Sequence, residues 1–262
     1  MTMMRECIDG IVLYRFRGPG GIAGLNHAVL TRIGGVSQEP YATLNLGHTV
    51  GDDLSAVEEN HRRALGLLGL KPKRVVSPYQ VHGARVGVVG RAHLGTVQPA
   101  TDALVTAVPS VPLLMRFGDC TPILFFDPAR RVVGMAHAGW RGVVAGSVGE
   151  TVRTMVERLG CDPTDIWAGI GPTIGPCCYE VGVKVVEAVE AVCPPGADVV
   201  HRVNGRVHLD LPAAVQAQLG AAGVERVEDA GLCTACRVDE FFSHRAEHGR
   251  TGRFGVVMEL SK

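Results

Sequence analysis

Two short apolar runs, residues 123–126 and 132–136, lie on either side of a polar turn at residues 127–131 and predict a buried β-hairpin. A hairpin brings its two outer ends together. Here those ends carry Asp119 and Cys120 on one side and His137 on the other. A carboxylate, a thiol and an imidazole at one sheet edge indicate a site that binds a metal ion or performs nucleophilic chemistry.

The same hydrophobic pattern predicts the rest of the fold. Predicted strands cover residues 11–16, 28–33, 75–76, 86–89, 103–107, 113–117, 165–170, 227–230 and 254–260. Predicted helices cover residues 54–68, 143–159 and 181–192, and Asp210 can cap another. The glycine-rich residues 18–21 predict a flexible loop between the first two strands. No internal repeat or linker interrupts the chain, so the pattern predicts a single mixed-sheet α/β domain flanked by helices over residues 1–262.

Composition and charge narrow the class of protein. The chain is 46% hydrophobic and 20% charged, which is typical of a globular protein. Its 26 basic residues balance 26 acidic ones, and no basic cluster is interleaved with aromatic residues, so we expect neither a nucleic-acid nor a membrane partner. The first residues lack the apolar core of a secretory signal. We therefore expect a cytoplasmic protein whose eight cysteines stay reduced.

His82 is a third candidate ligand beside the hairpin ends. It lies in Tyr79-Gln-Val-His-Gly83, where Gly83 is expected to end a strand and leave the imidazole at a turn. Two imidazoles and one thiolate (His82, Cys120 and His137) suit a zinc ion with an open fourth position, and copper is possible. The same residues also allow a nucleophilic pair, with Cys120 attacking, His137 as its base and Asp119 or another acid orienting the imidazole. The residues alone leave both interpretations open.

Other motifs add candidates for substrate binding. Arg141 follows small residues in His137-Ala-Gly-Trp-Arg-Gly142 and suits a phosphate or carboxylate at the start of the next helix, where Trp140 could stack on a planar ligand. His48 and Arg245 are candidates for lining the same pocket, and Thr251-Gly-Arg253 adds another arginine nearby.

The remaining cysteines favour packing over metal binding. Cys233-Thr-Ala-Cys236 has the spacing of half a zinc site, but no second pair stands at zinc-ribbon spacing. Cys177 and Cys178 are expected to point in different directions and to be buried.

Several segments, taken together, closely resemble the YfiH/YlmD family, known as laccase-domain or polyphenol-oxidase proteins and as purine nucleoside phosphorylases. In chain order they are Thr31-Arg-Ile-Gly-Gly-Val-Ser37, Leu44-Asn-Leu-Gly47 with Gly51-Asp52, Gln80-Val-His-Gly83, Thr101-Asp-Ala-Leu104, Asp119-Cys-Thr-Pro122, His137-Ala-Gly-Trp-Arg-Gly142, Ile170-Gly-Pro-Thr-Ile-Gly175 with Cys178-Tyr-Glu-Val181, Cys233-Thr-Ala-Cys236 and Phe242-Ser-His-Arg245. The match covers residues 27–260 in the right order.

The resemblance implies an α/β fold in which zinc is held by His82, Cys120 and His137. It also implies phosphorolysis of adenosine, inosine and S-methyl-5'-thioadenosine to the free base and a ribose 1-phosphate, together with adenosine deamination. The expected partners are therefore purine nucleosides and phosphate, bound by a monomer or a small homo-oligomer. Gly118, where the family often has alanine, and His244, where it often has tyrosine, leave the three ligands untouched.

Two alternative functions stay open. One is a cysteine hydrolase using Cys120 and His137, with peptidoglycan precursors as the substrates it would edit. The other is copper-dependent oxidation of phenols, against which the absence of any His-x-His pair argues.

Overall fold

The structure, a computed structural model, describes residues 2–18 and 24–261. Its strands are Met3–Ile8 (β1), Ile11–Phe16 (β2), Leu25–Leu30 (β3), Ser77–Pro78 (β4), Val86–Val88 (β5), Val97–Gln98 (β6), Ala103–Thr106 (β7), Leu113–Phe117 (β8), Thr121–Asp127 (β9), Val132–Ala138 (β10), Trp167–Ile170 (β11), Val200–Val203 (β12), Arg206–Leu209 (β13), Arg226–Asp229 (β14) and Phe254–Leu260 (β15). Its α-helices are Leu54–Leu67 (α1), Trp140–Val144 (α2), Ser147–Leu159 (α3), Val183–Glu190 (α4) and Leu211–Ala221 (α5).

Two sheets dominate the fold. A five-stranded antiparallel sheet has the order β1-β2-β3-β15-β8, and a six-stranded mixed sheet has the order β14-β11-β9-β10-β7-β5. In the second sheet the central pairs are antiparallel and the two outermost pairs are parallel. The predicted mixed α/β class is confirmed, with the strands divided between two principal sheets.

The two sheets pack face to face and carry helices on their outer faces. Leu65 of α1 packs with Leu30 on the outside of the five-stranded sheet. Phe16 and Met135 belong to the core between the sheets, whereas Met155 of α3 belongs to the core on the far side of the six-stranded sheet. Since successive side chains of a strand point to opposite faces, a strand between two cores is apolar on both sides. This explains why β9 and β10 are buried along their whole length.

The predicted hairpin is confirmed. Strands β9 and β10 pair antiparallel from Val132 opposite Asp127 to Ala138 opposite Thr121. Both strands extend beyond the predicted apolar runs at their outer ends, so the sheet itself carries His137 beside the segment that contains Cys120.

Elsewhere the boundaries of several helices and strands differ from the predicted ones, for local reasons. The predicted helix over residues 143–159 is two helices, α2 and α3, because Gly146 has φ +76°, a left-handed conformation that glycine adopts readily. The predicted strand at residues 75–76 is reduced to one bridge between Val76 and Leu113. Five short or polar strands (β1, β4, β6, β12 and β13) were not predicted because they lack an apolar run. The predicted loop at residues 18–21 lies, apart from Gly18, outside the described residues.

None of the helices within the described ranges is long and apolar enough to cross a membrane.

Candidate metal centre

The structure brings His82, Cys120 and His137 together at the ends of the two central strands of the six-stranded sheet. Their ligand atoms lie within 4.8 Å of one another, and the two imidazole rings are 4.8 Å apart at 67°. Cys120 directly precedes β9 and His137 lies on β10, as the hairpin predicts. His82 comes from the loop between β4 and β5, where it has φ +63°. The expected strand ending at Gly83 is therefore wrong: a loop presents His82.

Asp102, immediately before β7, orients two of these three residues. Its carboxylate is fully buried and lies 3.0 Å from Nδ1 of His137. The same carboxylate accepts hydrogen bonds from the backbone N–H groups of His82 (2.9 Å) and Gly83 (2.8 Å). With Nδ1 paired to Asp102, His137 has Nε2 free to bind a metal ion. A carboxylate that fixes a ligating histidine in this way is a common supporting contact of metal sites.

Gly139 gives the ligands room to converge. A Cβ atom at this position would lie 2.7 Å from the Cys120 sulfur and 3.4 Å from Cδ2 of His82. The first distance is too short for any real contact, so a side chain at residue 139 would push Cys120 away from His82. The small residues after His137 thus make space for the site itself.

The thiol and the imidazole of the site change each other's charge. Burial alone would raise the pKa of the Cys120 thiol, but the neighbouring His137 and His82 lower it to about 6. Burial would lower the pKa of His137, but the Cys120 charge and the hydrogen bond to Asp102 raise it to about 9. Cys120 is therefore a thiolate at neutral pH, the form that binds metals and acts as a nucleophile. Metal binding would displace the His137 proton.

The donor set fits a zinc ion. Zinc binds sulfur at about 2.3 Å and nitrogen at about 2.0 Å, so the tetrahedral ligand atoms of a set with one sulfur and two nitrogens lie about 3.3–3.5 Å apart, within the observed limit. Three protein donors leave a fourth position for water or substrate, the usual arrangement of catalytic zinc. A His/Cys/His set can also bind copper.

Asp119 has its carboxylate fully occupied by protein donors. Oδ1 accepts hydrogen bonds from the hydroxyls of Thr234 and Ser243, both at 2.7 Å, and Oδ2 accepts one from the backbone N–H of Arg245 at 2.6 Å. Asp119 has φ +89°, and its carbonyl oxygen accepts a further bond from Ile174 N–H at 3.0 Å. This residue therefore ties the loop before β9 to the loops that carry Arg245 and Ile174.

The three candidate ligands open onto a cavity of about 790 Å³ that also contains four arginines: Arg116, Arg141, Arg245 and Arg253. No ion pair involves Arg116 or Arg253 within residues 2–18 and 24–261. Burial lowers the pKa of Arg116 to about 10 and that of Arg253 in the same direction. Both guanidinium groups stay charged at neutral pH, so this part of the cavity favours an anion.

The segment Leu46–Gly47 lies against both of these arginines. Arg116 Nε donates to the Leu46 carbonyl oxygen at 2.7 Å. A Cβ atom on Gly47 would lie 3.0 Å from Cγ of Arg253, and one on Gly118 would lie 3.1 Å from its Cδ. The alanine that the family often has in place of Gly118 would therefore touch Arg253 and not the ligands.

The predicted substrate-binding residues His48, Arg141 and Arg245 all line this cavity, at its exposed rim. Arg141 stacks over the ring of Trp140 at 4.5 Å, and His48 stacks on His61 at 4.8 Å. Arg245 lies 5.0 Å above the ring of Tyr179 and donates to the Glu180 carbonyl oxygen at 2.7 Å.

Sequence reasoning missed three features of the site. Asp102 stands in one of the recognised segments, Thr101-Asp-Ala-Leu104, but was given no role. Arg116 lies in the predicted strand over residues 113–117, where nothing in the local pattern marks it as unpaired. Tyr179 follows the cysteine pair and lines the cavity. Only the folded chain shows where these side chains meet.

The expectation that Cys177 and Cys178 are buried is wrong. Cys177 is exposed and Cys178 is partly exposed. Their sulfur atoms converge with those of Cys233 and Cys236, because a turn brings both neighbours to one side. The second cysteine pair that seemed missing at ribbon spacing is supplied from a distant segment.

The fold and the site together define a class of protein with two packed sheets and a three-residue candidate metal centre at the strand ends of one of them. The chain belongs to the family described as "Multi-copper polyphenol oxidoreductase laccase", whose model matches residues 26–261. The resemblance to the YfiH/YlmD family is thereby confirmed.

Relatives agree in sequence and in structure. The purine nucleoside phosphorylase YlmD of Geobacillus stearothermophilus is 40% identical over 245 residues, covering 89% of this chain and 88% of the relative. The crystal structure of YlmD from the same organism superposes with a TM-score of 0.94 at 37% identity, covering 100% of this chain and 99% of that one. The crystal structure of the Bacillus licheniformis hypothetical protein YfiH gives a TM-score of 0.91 at 31% identity, covering 97% of each chain.

Proposed function

We propose that this protein is a zinc-dependent purine nucleoside phosphorylase that cleaves adenosine, inosine and S-methyl-5'-thioadenosine with phosphate, and that it also deaminates adenosine. The observation that carries the proposal is one cavity in which a His/Cys/His set faces two arginines that form no ion pair within the described residues. A phosphorolytic enzyme needs both a group that stabilises charge on the departing base and a site for phosphate. The names of the relatives support the same reaction.

We assign the phosphate to the side of the cavity formed by Arg116 and Arg253. Their partly buried guanidinium groups have no acidic partner in the described chain, and the same Leu46–Gly47 segment holds both of them. Arg141 and Arg245 at the rim stack on aromatic rings and suit a substrate entering from solvent. Planar guanidinium groups bind phosphate oxygens in pairs, which would orient the nucleophile toward the sugar carbon.

We assign the purine to the side formed by His82, Cys120 and His137. A bound zinc ion would supply a Lewis acid there. Asp102 holds His137 in the tautomer that presents Nε2, and Asp119 holds the loop that carries Arg245. Tyr179 keeps its hydroxyl proton, because burial and the charge of Cys120 raise its pKa to about 12. That hydroxyl is our candidate proton donor to the departing base. The thiolate of Cys120 needs a reducing environment, which supports a cytoplasmic location.

A cysteine hydrolase is the second candidate, and one observation favours it. Cys120, His137 and Asp102 form a thiolate, an imidazolium and an orienting carboxylate in sequence, as a nucleophilic site requires. His82 argues the other way, since a metal-free nucleophile has no need of a second imidazole beside the thiol. A multicopper oxidase needs several copper sites rich in histidine. The described residues contain one metal-binding cluster with histidines and one cluster of cysteines alone, which argues against that function.

One experiment separates these candidates. Purified protein loaded with zinc or stripped of metal is incubated with each nucleoside, with and without phosphate, and free base, ribose 1-phosphate and inosine are quantified. We expect release of base that requires both zinc and phosphate, and conversion of adenosine to inosine that requires zinc alone. Nucleoside turnover by metal-free protein would favour the hydrolase. If zinc-loaded protein releases no free base from any of the nucleosides, the assignment as a phosphorylase is wrong.

A further inference from the structure

The second feature of chemical interest is a group of four cysteines outside the cavity, Cys177, Cys178, Cys233 and Cys236, here called the cysteine cluster. The first pair lies in the turn between β11 and α4, and the second lies in the loop after β14. Backbone contacts join the two segments: Thr173 N–H donates to the Leu232 carbonyl oxygen at 3.1 Å, and Thr234 N–H donates to the Thr173 carbonyl oxygen at 3.0 Å.

The four sulfur atoms surround one point. All lie within 4.8 Å of one another, and Cys236 Sγ is 3.4 Å from the sulfurs of both Cys177 and Cys178. A disulfide bond is about 2.05 Å long, so these sulfurs are not bonded to each other. Four sulfurs bound tetrahedrally to one zinc ion lie about 3.8 Å apart, given a zinc–sulfur distance of about 2.3 Å. The cluster has the size of a single-ion site.

We propose that the cysteine cluster binds a structural zinc ion through four thiolates. An all-sulfur tetrahedral set selects zinc or iron among the common metals. An iron–sulfur cluster is disfavoured because its thiolates bind separate irons and stand further apart than these sulfurs. Cys233-Thr-Ala-Cys236 supplies the two-residue spacing of zinc-binding loops. The backbone N–H of Gly175 donates to Cys233 Sγ at 3.2 Å, which supports a thiolate ligand.

The ion would tie together two segments that are connected to one wall of the cavity, which includes Asp119, Tyr179 and Arg245. Tyr179 follows Cys178 directly, and the hydroxyl of Thr234, next to Cys233, donates to Asp119. Arg245, in the same wall, donates to the Glu180 carbonyl oxygen of the first segment and, through its backbone N–H, to Asp119. Since all four ligands come from protein, no position is left for substrate, and the role of the ion is to hold this wall in place.

Metal content tests the proposal without relying on activity. We expect zinc-loaded protein to contain about two zinc ions per chain, one in each site. Cys236→Ser should contain about one, and so should His82→Ala, whereas the control Cys7→Ser, at an exposed cysteine of β1, should contain about two. Equal zinc content in wild-type protein and Cys236→Ser would overturn the proposal.

Two measurements on unmodified wild-type protein keep the test valid if Cys236→Ser does not fold. On stepwise modification of the thiols, full release of one of the zinc ions should coincide with the reaction of about four cysteines. Cobalt added to metal-free protein should give the absorption of a tetrathiolate site, and His82→Ala should retain it. Two results would each overturn the assignment. One is a disulfide bond within the cysteine cluster, detected by mass spectrometry in freshly purified protein, and the other is iron in the cluster in place of zinc.

Discussion

The two cysteine-containing sites of this protein differ in the number and kind of their donors. The His82/Cys120/His137 centre offers three donors, opens onto a cavity of about 790 Å³ and depends on a buried carboxylate, Asp102. The cysteine cluster offers four sulfurs, lies at the surface and connects two loops. An incomplete donor set with a cavity suits catalysis, and a complete set suits structure. The predictions below test this division, from the largest expected effect to the smallest.

Replacing Cys120 with alanine should cause the largest loss. Removing a ligand takes away several kcal/mol of transition-state stabilisation, and we expect kcat/KM for inosine phosphorolysis to fall about 10³-fold or more. Metal analysis should show the loss of one ion only, since the cysteine cluster does not involve Cys120. Cys161→Ser, at a buried cysteine remote from the cavity, is the control for loss of a thiol. Full activity of Cys120→Ala would refute the division between the two sites.

Replacing Tyr179 with phenylalanine separates proton donation from metal binding. If its hydroxyl protonates the departing base, kcat should fall about 10²-fold, while KM and zinc content stay unchanged. Tyr79→Phe, at an exposed tyrosine that lines the same cavity, is the matched control and should change kcat little. A similar kcat for wild-type protein and Tyr179→Phe would show that the Tyr179 hydroxyl does not donate the proton.

Replacing Asp102 with asparagine should weaken one site and leave the other intact. The variant loses the negative charge of the carboxylate that orients His137 and accepts hydrogen bonds from the backbone N–H groups of His82 and Gly83. We expect zinc affinity at the His/Cys/His centre to fall about 10–100-fold, measured by competition with a chelator. Asp162→Asn, at an exposed aspartate in the loop before β11, should bind zinc normally. Equal loss of affinity at both sites would point to a general loss of folding.

Replacing Gly139 with alanine should have the smallest effect. Its Cβ would lie 2.7 Å from the Cys120 sulfur, and relieving that overlap should cost about 1–3 kcal/mol, measured as lost zinc affinity or stability. Gly149→Ala on α3 meets nothing within 4 Å and should slightly raise the melting temperature, because alanine favours a helix. Unchanged zinc affinity in Gly139→Ala would show that Cys120 can move without consequence.

The sequence by itself determined the parts of the fold that depend on local pattern. Strands β2, β8 and β15 and helix α1 follow from the hydrophobic pattern, and the β9–β10 hairpin follows from two apolar runs joined by a short turn. Because a hairpin joins near neighbours in the chain, its register also predicted that Cys120 and His137 come together. The segment around His82 indicated this histidine as a further candidate ligand. The family resemblance implied the same three residues, His82, Cys120 and His137.

Only the tertiary structure decided which distant side chains meet. Asp102 reaches His137, Arg116 and Arg253 meet the same Leu46–Gly47 segment, and the cysteine pairs at 177–178 and 233–236 converge through packing of loops. Hydrophobic periodicity specifies which face of an element is buried, and it carries no information on where a loop places its polar atoms. For that reason the expectation for Cys177 and Cys178 was wrong, and the cysteine cluster became visible only in the folded chain.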